Sequence, residues 1–165
     1  MCSSDLAAVL RGWQMNGILR LSTGLFLSPT VGANNLNGSG FQRPDVVPGC
    51  QVKLENSTPN NWFNSTCFTI PAQFTFGNAG RNIIAGPGTR NFDFSLFRNL
   101  YLSRGDSPRQ LQIRGEIFNL TNTPQFNNPN TTIGVATTGL ISSAGSPTSF
   151  QRIQRQVQLA MKFTF

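Results

Sequence analysis

Hydrophobic and polar residues alternate along four stretches of the chain. The clearest stretch ends the chain, where residues 152–165 read RIQRQVQLAMKFTF. Successive side chains of a β-strand point to opposite sides of a sheet, so a period of two predicts a strand with one apolar and one polar face. Odd-numbered residues form the apolar face, apart from Arg155. The stretch exceeds both the roughly 5–6 residues usual in globular proteins and the roughly 9–11 residues with which a strand crosses a membrane.

Three further stretches alternate in the same way, over residues 9–27, 90–102 and 109–120. The apolar residues are odd-numbered in the first and third stretches and even-numbered in the second. The pattern therefore predicts an all-β fold whose antiparallel, curved sheet has about four long strands. The residues predicted on the apolar faces include Phe94, Ile113, Val157 and Leu159, and those predicted on the polar faces include Asp93, Gln112, Gln156 and Gln158.

The connections between these stretches alternate between long and short. Long connections cover about residues 28–89 and 121–151, and a short one, SRGDSP, covers residues 103–108. The long connections are rich in Asn, Gly, Pro, Ser and Thr, so we expect a solvated surface with little regular structure. Outer-membrane barrels have short periplasmic turns and longer extracellular loops, and the alternation favours such a barrel with Phe165 at the periplasmic rim.

The composition supports this interpretation. Only 12% of the residues are charged, against about 25% in typical globular proteins, while the chain has 17 Asn and 11 Gln. Uncharged polar side chains thus replace charges, as expected for the lumen and loops of a barrel. The formal net charge is +7, which raises the question of a nucleic-acid partner. The cations are scattered singly, however, and the aromatic residues lie mostly among the apolar residues of the alternating stretches. We therefore expect no nucleic-acid partner.

The ends of the chain carry no targeting signal of the usual kind. No segment approaches the roughly 18 apolar residues of a transmembrane helix, and none resembles a signal peptide. A complete outer-membrane protein would need a signal peptide, so we expect a fragment, a mature chain or a protein of another compartment. Residues 1–6, MCSSDL, resemble a translated adapter and are treated as a non-native leader, which leaves residues 7–165 as the domain.

Two cysteines, Cys50 and Cys67, lie in the first long connection, and a third, Cys2, lies in the leader. The chain has no histidine and no CxxC motif, so we expect neither a metal site nor a cofactor. In an oxidising envelope, Cys50 and Cys67 form either a loop disulfide or two independent thiols. Without histidine, Ser/His and Cys/His catalysis is excluded within the chain, and we expect a protein that is not an enzyme.

Several segments, in order, resemble the C-terminal part of TonB-dependent receptors, notably the Oar-like subfamily with a carboxypeptidase-regulatory-like domain. They are RGWQMNGILRLSTGLFLSP, FGNAGRNIIAGPGTRNFDFSLFRNLYL, RGEIFNLTNTPQFNNP and LAMKFTF. The resemblance implies a 22-stranded barrel of which this chain supplies about the last four strands. It also implies active uptake of a bulky or scarce nutrient, driven through TonB. The plug, the TonB box and most of the barrel are not in the sequence.

The same resemblance implies the partners of the chain. They would be the rest of its own barrel and plug, TonB, the barrel-assembly machinery and outer-membrane lipid. A terminal strand that ends in an aromatic residue is the recognition signal for that machinery in outer-membrane proteins. Here the signal residues would be Phe165, Phe163, Met161 and Leu159.

Two further groups of side chains are candidates for a role in a barrel. Three charged residues are predicted on the polar faces of adjacent strands: Asp93, Arg114 and Glu116. We expect them to form a structural ion-pair network in the lumen, in preference to a substrate site. Trp13 and Phe92 have apolar-face parity and are candidates, together with Phe94, for the aromatic girdles at the membrane interfaces.

Two other functions fit the alternation as well. One is a secreted β-sandwich adhesin or carbohydrate-binding module, whose apolar faces would pack against a second sheet. The other is a fibre or surface-layer protein that polymerises through exposed strand edges. A single curved sheet with an outward apolar belt would favour the barrel.

Overall fold

A computed structural model describes residues 11–32, 35–38, 41–102, 109–145 and 154–165. The chain divides into two compact units. The first contains the described parts of segments 1–21, 90–124 and 152–165, and the second contains those of segments 22–89 and 125–151. The strands of the described residues are β1 Trp13–Ser22, β2 Phe26–Leu27, β3 Thr30–Val31, β4 Asp45–Val46, β5 Lys53–Thr58, β6 Asn61–Phe63, β7 Phe68–Thr69, β8 Ile84–Ala85, β9 Thr89–Tyr101, β10 Gln110–Phe118, β11 Thr132–Ile133 and β12 Gln156–Thr164.

The first unit is built on one four-stranded sheet in the order β1-β9-β10-β12. β10 pairs antiparallel with β9 on one side and with β12 on the other. The backbone N–H of Asn99 in β9 donates to the carbonyl of Gly12, which immediately precedes β1, over 3.0 Å. The prediction of an all-β fold with four long antiparallel strands is therefore confirmed.

The pairing register places the apolar residues of neighbouring strands on one face of this sheet. Ile117 lies opposite Phe94 on β9 and opposite Val157 on β12. Because side chains alternate along each strand, every second pair shares this face. The same face therefore carries the pairs Leu111 with Leu100 and Phe163, and Gly115 with Leu96 and Leu159. The alternation in the sequence predicted this arrangement.

Two strand boundaries differ from those predicted. The first strand ends at Ser22, not near residue 27, because Phe26–Leu27 forms a separate strand that pairs with Ile84–Ala85. A Cβ on Gly24 would overlap the carbonyl oxygen of Gly86, so this close backbone approach, which only glycine permits, marks the break. The terminal strand begins at Gln156, although residues 152–153 of the predicted strand lie outside the described part.

The second unit corrects the expectation that the long connections have little regular structure. Its short strands pair as β2 with β8, β4 with β7 and β5 with β6, all antiparallel, while β3 and β11 pair in parallel. Asn64 caps a 3₁₀ helix, Ser65–Cys67, by accepting a hydrogen bond from Thr66 N. A small core holds these pieces together, and its members are Phe63, Cys67, Phe68, Ile84 and Ile133.

Helices contribute little to the described segments. None of the helices found there is long and apolar enough to cross a membrane.

Candidate functional site

The apolar face of the first unit's sheet remains exposed along β12. Val157 is 66% exposed, Leu159 82% and Met161 71%. Ile113, in the middle of the sheet on the same face, is 43% exposed. Soluble monomers rarely leave an apolar surface of this extent uncovered, so the face requires an apolar medium or partner.

The C-terminal strand combines this face with an open edge. In the sheet formed by the described residues, β12 pairs only with β10. Phe165 follows the strand and is 90% exposed, and its ring stacks on that of Phe163 with centroids 5.9 Å apart. The four residues predicted as an assembly signal therefore lie together at the end of an edge strand. Such a strand can add to the edge of another sheet through its backbone hydrogen-bonding groups.

The opposite face of the sheet carries charged residues. Arg114 and Glu116, both on β10, form an ion pair with a 3.0 Å distance between Nη2 and Oε1. The guanidinium carbon of Arg114 lies 5.6 Å from the ring centroid of Phe97, the residue directly opposite on β9. Both contacts hold the guanidinium in place against the sheet.

Asp93 lines the same cleft as Arg114 and Glu116, which has a volume of about 170 Å³. Its Oδ1 accepts hydrogen bonds from the backbone N–H of Asn119 over 2.8 Å and from Nδ2 of Asn91 over 3.0 Å. The structure thus brings the three predicted residues to one cleft. The ion pair, however, joins neighbours on one strand, and Asp93 binds the turn that follows β10.

Asn119 organises that turn and was not predicted from the sequence. Asn119 is completely buried and has a φ of 51°. Its amide group donates to the carbonyl of Thr123 and accepts from the N–H of Thr123, each over 3.0 Å. Asn side chains often bond the backbone a few residues ahead and tolerate positive φ, so the segment NLTNTP contained the signal.

Arg98 was also missed. Its even number gives it the parity of the apolar face, and the register places it opposite Ile113. Its guanidinium carbon lies 5.3 Å from the ring centroid of Trp13 on β1. Its even number, shared with Phe94 and Leu96, was the signal in the sequence that could have placed this cation on the apolar face.

In the second unit, Cys50 and Cys67 form a disulfide with Cα atoms 5.4 Å apart, which is the first of the two alternatives considered from the sequence. Cys67 is completely buried in the core of that unit. Structural disulfides form and persist in oxidising compartments such as the cell envelope. Among the described residues, no group of three or more His, Cys, Asp or Glu side chains is arranged to hold a metal ion.

Comparisons with known proteins support the same interpretation of the sheet. No curated protein and no solved structure matches the chain. A family model described as an outer membrane beta barrel domain matches residues 3–158, which is most of the chain. An antiparallel sheet with one exposed apolar face is what such a barrel requires, because lipid covers its outer surface and its interior is polar. The chain therefore belongs to the outer membrane beta barrel domain family, and its place is the outer membrane.

Proposed function

We propose that this chain forms the last strands of a TonB-dependent outer-membrane transporter of the Oar-like type, which takes up a bulky or scarce nutrient. The observation that carries the proposal is the largely apolar face of β9, β10 and β12, interrupted at Arg98, together with an exposed Phe165 immediately after β12. The ordered resemblance of four segments to this receptor family supports it as well. The role is transport, without covalent chemistry.

The second unit suits a receptor of this kind. Most of its residues come from the two long connections predicted to be extracellular, and a disulfide and a small apolar core stabilise it. Ordered outer loops present a defined surface to a solute, since residues on mobile loops lose more conformational entropy on binding. Ligand choice in such a receptor would also depend on the plug and the remaining loops.

The proposal assigns partners to three surfaces. The open edges of β1 and β12 would pair with the remaining strands of the same barrel, since a barrel leaves no edge unpaired within a membrane. The terminal strand would first bind the barrel-assembly machinery, and the apolar face would contact lipid. TonB would act on the plug, outside this chain.

The experiment is a binding measurement between the full-length protein, purified from outer membranes, and the periplasmic domain of TonB. We expect saturable binding, and we expect deletion of the gene and deletion of tonB to abolish uptake of the same solute. A protein that binds no TonB, and whose solute enters equally well without TonB, would be a passive channel. That result would refute the proposal.

The secreted β-sandwich adhesin or carbohydrate-binding module is a weaker candidate. It would bury its apolar face against a second sheet, whereas the chain's membership in an outer-membrane family favours lipid as the covering medium.

A further inference from the structure

A cleft in the second unit combines exposed aromatic rings with positive charge. We call it the loop cleft, since its walls come from the first long connection, and its volume is about 210 Å³. Phe41 and Phe76 line it and are 95% and 85% exposed, and Arg43 and Arg81 line it as well. None of the described residues that line it is acidic. The loop cleft therefore offers flat apolar surfaces and cations without a neutralising carboxylate.

Backbone contacts hold the two walls of the loop cleft against each other. Asn35 Nδ2 donates to the carbonyl of Pro71 over 2.7 Å, and the N–H of Phe74 donates to the carbonyl of Asn35 over 2.8 Å. A Cβ on Gly77 would overlap the carbonyl oxygen of Arg43, so only glycine permits this approach of the walls. A cleft that is already held in place loses little conformational entropy when a ligand binds.

Arg81 provides a cation without a partner. It is exposed, and among the described residues its guanidinium makes no hydrogen bond, ion pair or ring contact. Arg43 differs, because its Nη1 donates to the carbonyl of Ala79 over 2.9 Å. The N–H groups of a guanidinium form a planar fork that binds a carboxylate or a phosphate through two parallel hydrogen bonds. The Arg81 side chain can therefore bind such an oxyanion at the loop cleft.

Phe41 and Phe76 provide the surface for a ring. Single exposed apolar residues are common on proteins, but two nearly fully exposed phenylalanines at one concave site beside cations are typical of a binding surface. Aromatic rings pair by offset stacking or edge to face. The volume of about 210 Å³ lies below the roughly 300–1,000 Å³ of sites for drug-sized ligands. It limits the occupant to about one ring with its anionic group.

We propose that the loop cleft binds a single-ring aromatic anion. Its carboxylate or phosphate group binds the guanidinium of Arg81, and its ring packs on Phe41 and Phe76. Charge complementarity carries this choice of ligand, because the described lining includes two arginines and no carboxylate. The inference that this anion is the transported solute rests on the proposed function, whereas its binding to the loop cleft requires neither TonB nor transport.

The experiment titrates the purified full-length protein in detergent micelles with 4-fluorobenzoate and, separately, with 4-fluorophenyl phosphate. The fluorine NMR signal of each probe reports binding, and empty micelles give the contribution of the detergent. We expect saturable binding of at least one probe, and the tighter one identifies the anionic group. Neutral 4-fluorobenzamide should bind about tenfold more weakly, because it cannot form the charge-assisted bonds to Arg81.

Arg81→Gln should lower the affinity for the anion about tenfold, to that of the amide. Lys53→Gln is the matched control, since it removes the same charge from an exposed strand position of the same unit outside the loop cleft, and it should leave the affinity unchanged. Phe76→Ala should weaken the anion and the amide several-fold alike, because it removes the ring surface that both use.

Arg81 is exposed and has no partner among the described residues, so Arg81→Gln should assemble normally, and the heat-dependent gel mobility of folded barrels checks this. Absence of saturable binding of both anions overturns the proposal, as would follow if other loops of the barrel filled the loop cleft. Equal affinity for the anion and the amide in the unsubstituted protein overturns it even if Arg81→Gln does not fold. An equal loss in Lys53→Gln overturns it as well. Failure of the transport proposal is distinct, because it would appear as a lack of TonB binding.

Discussion

Truncating Phe165 should impair assembly of the barrel far more than it impairs the stability of the assembled protein. Phe165 is 90% exposed, so Phe165→Ala removes only about a tenth of the roughly 1.5–3 kcal/mol that full burial of a phenylalanine provides. Loss of the ring pair with Phe163 adds about 0.5–1.5 kcal/mol. The free energy of unfolding should therefore fall by less than about 2 kcal/mol.

Phe163→Ala is the matched control. Phe163 is 50% exposed, so its truncation loses the same ring pair and about half of the burial term, and it should destabilise the folded protein more than Phe165→Ala does. If the assembly machinery reads mainly the terminal aromatic of the predicted assembly signal, however, Phe165→Ala should reduce the amount of protein in the outer membrane several-fold more than Phe163→Ala does.

Two measurements on the full-length protein separate stability from recognition. Quantitative immunoblotting of outer membranes gives the assembled amount, and urea unfolding of refolded protein in vesicles gives the free energy of unfolding. Recognition of Phe165 is refuted if both substitutions lower the assembled amount equally and in proportion to their loss of stability. Phe165 would then be only the last apolar residue of the strand.

Three further predictions follow from the two units. Reducing the disulfide, whose cysteines are 17 positions apart, should lower the stability of the second unit by about 3 kcal/mol, and unchanged amide hydrogen exchange there would contradict this. Asp93→Ala removes a charge-assisted hydrogen bond to Asn119 and should cost about 1.5–3 kcal/mol in urea unfolding, whereas Ser95→Ala on the same face should cost much less. A cysteine replacing Ile113 should react with a lipid-soluble maleimide and one replacing Gln112 with a water-soluble reagent, and the reverse result would refute the assigned faces.

The alternation of residues determined the main sheet. Side chains of a strand have a period of two, and a one-residue slip would move a whole apolar set to the wrong face, so few registers are acceptable. The apolar parity of the sequence therefore predicted the shared face of Ile117, Phe94 and Val157, and the structure supplied their pairing. Arg98 was not predicted, although its even number gives it the parity of the apolar face.

Only the tertiary structure decided how the long connections fold. Their strands are mostly two residues long, too short for a period to appear, and pairs such as Thr30–Val31 with Thr132–Ile133 join segments far apart in the chain. The choice of disulfide over free thiols likewise depends on the approach of Cys50 and Cys67 in space. Asp93 shows the same limit, because its parity gave its face, while its bond to Asn119 depends on the turn beyond β10. Alternation along a strand predicts which face is apolar. It does not predict which residues from distant segments come into contact.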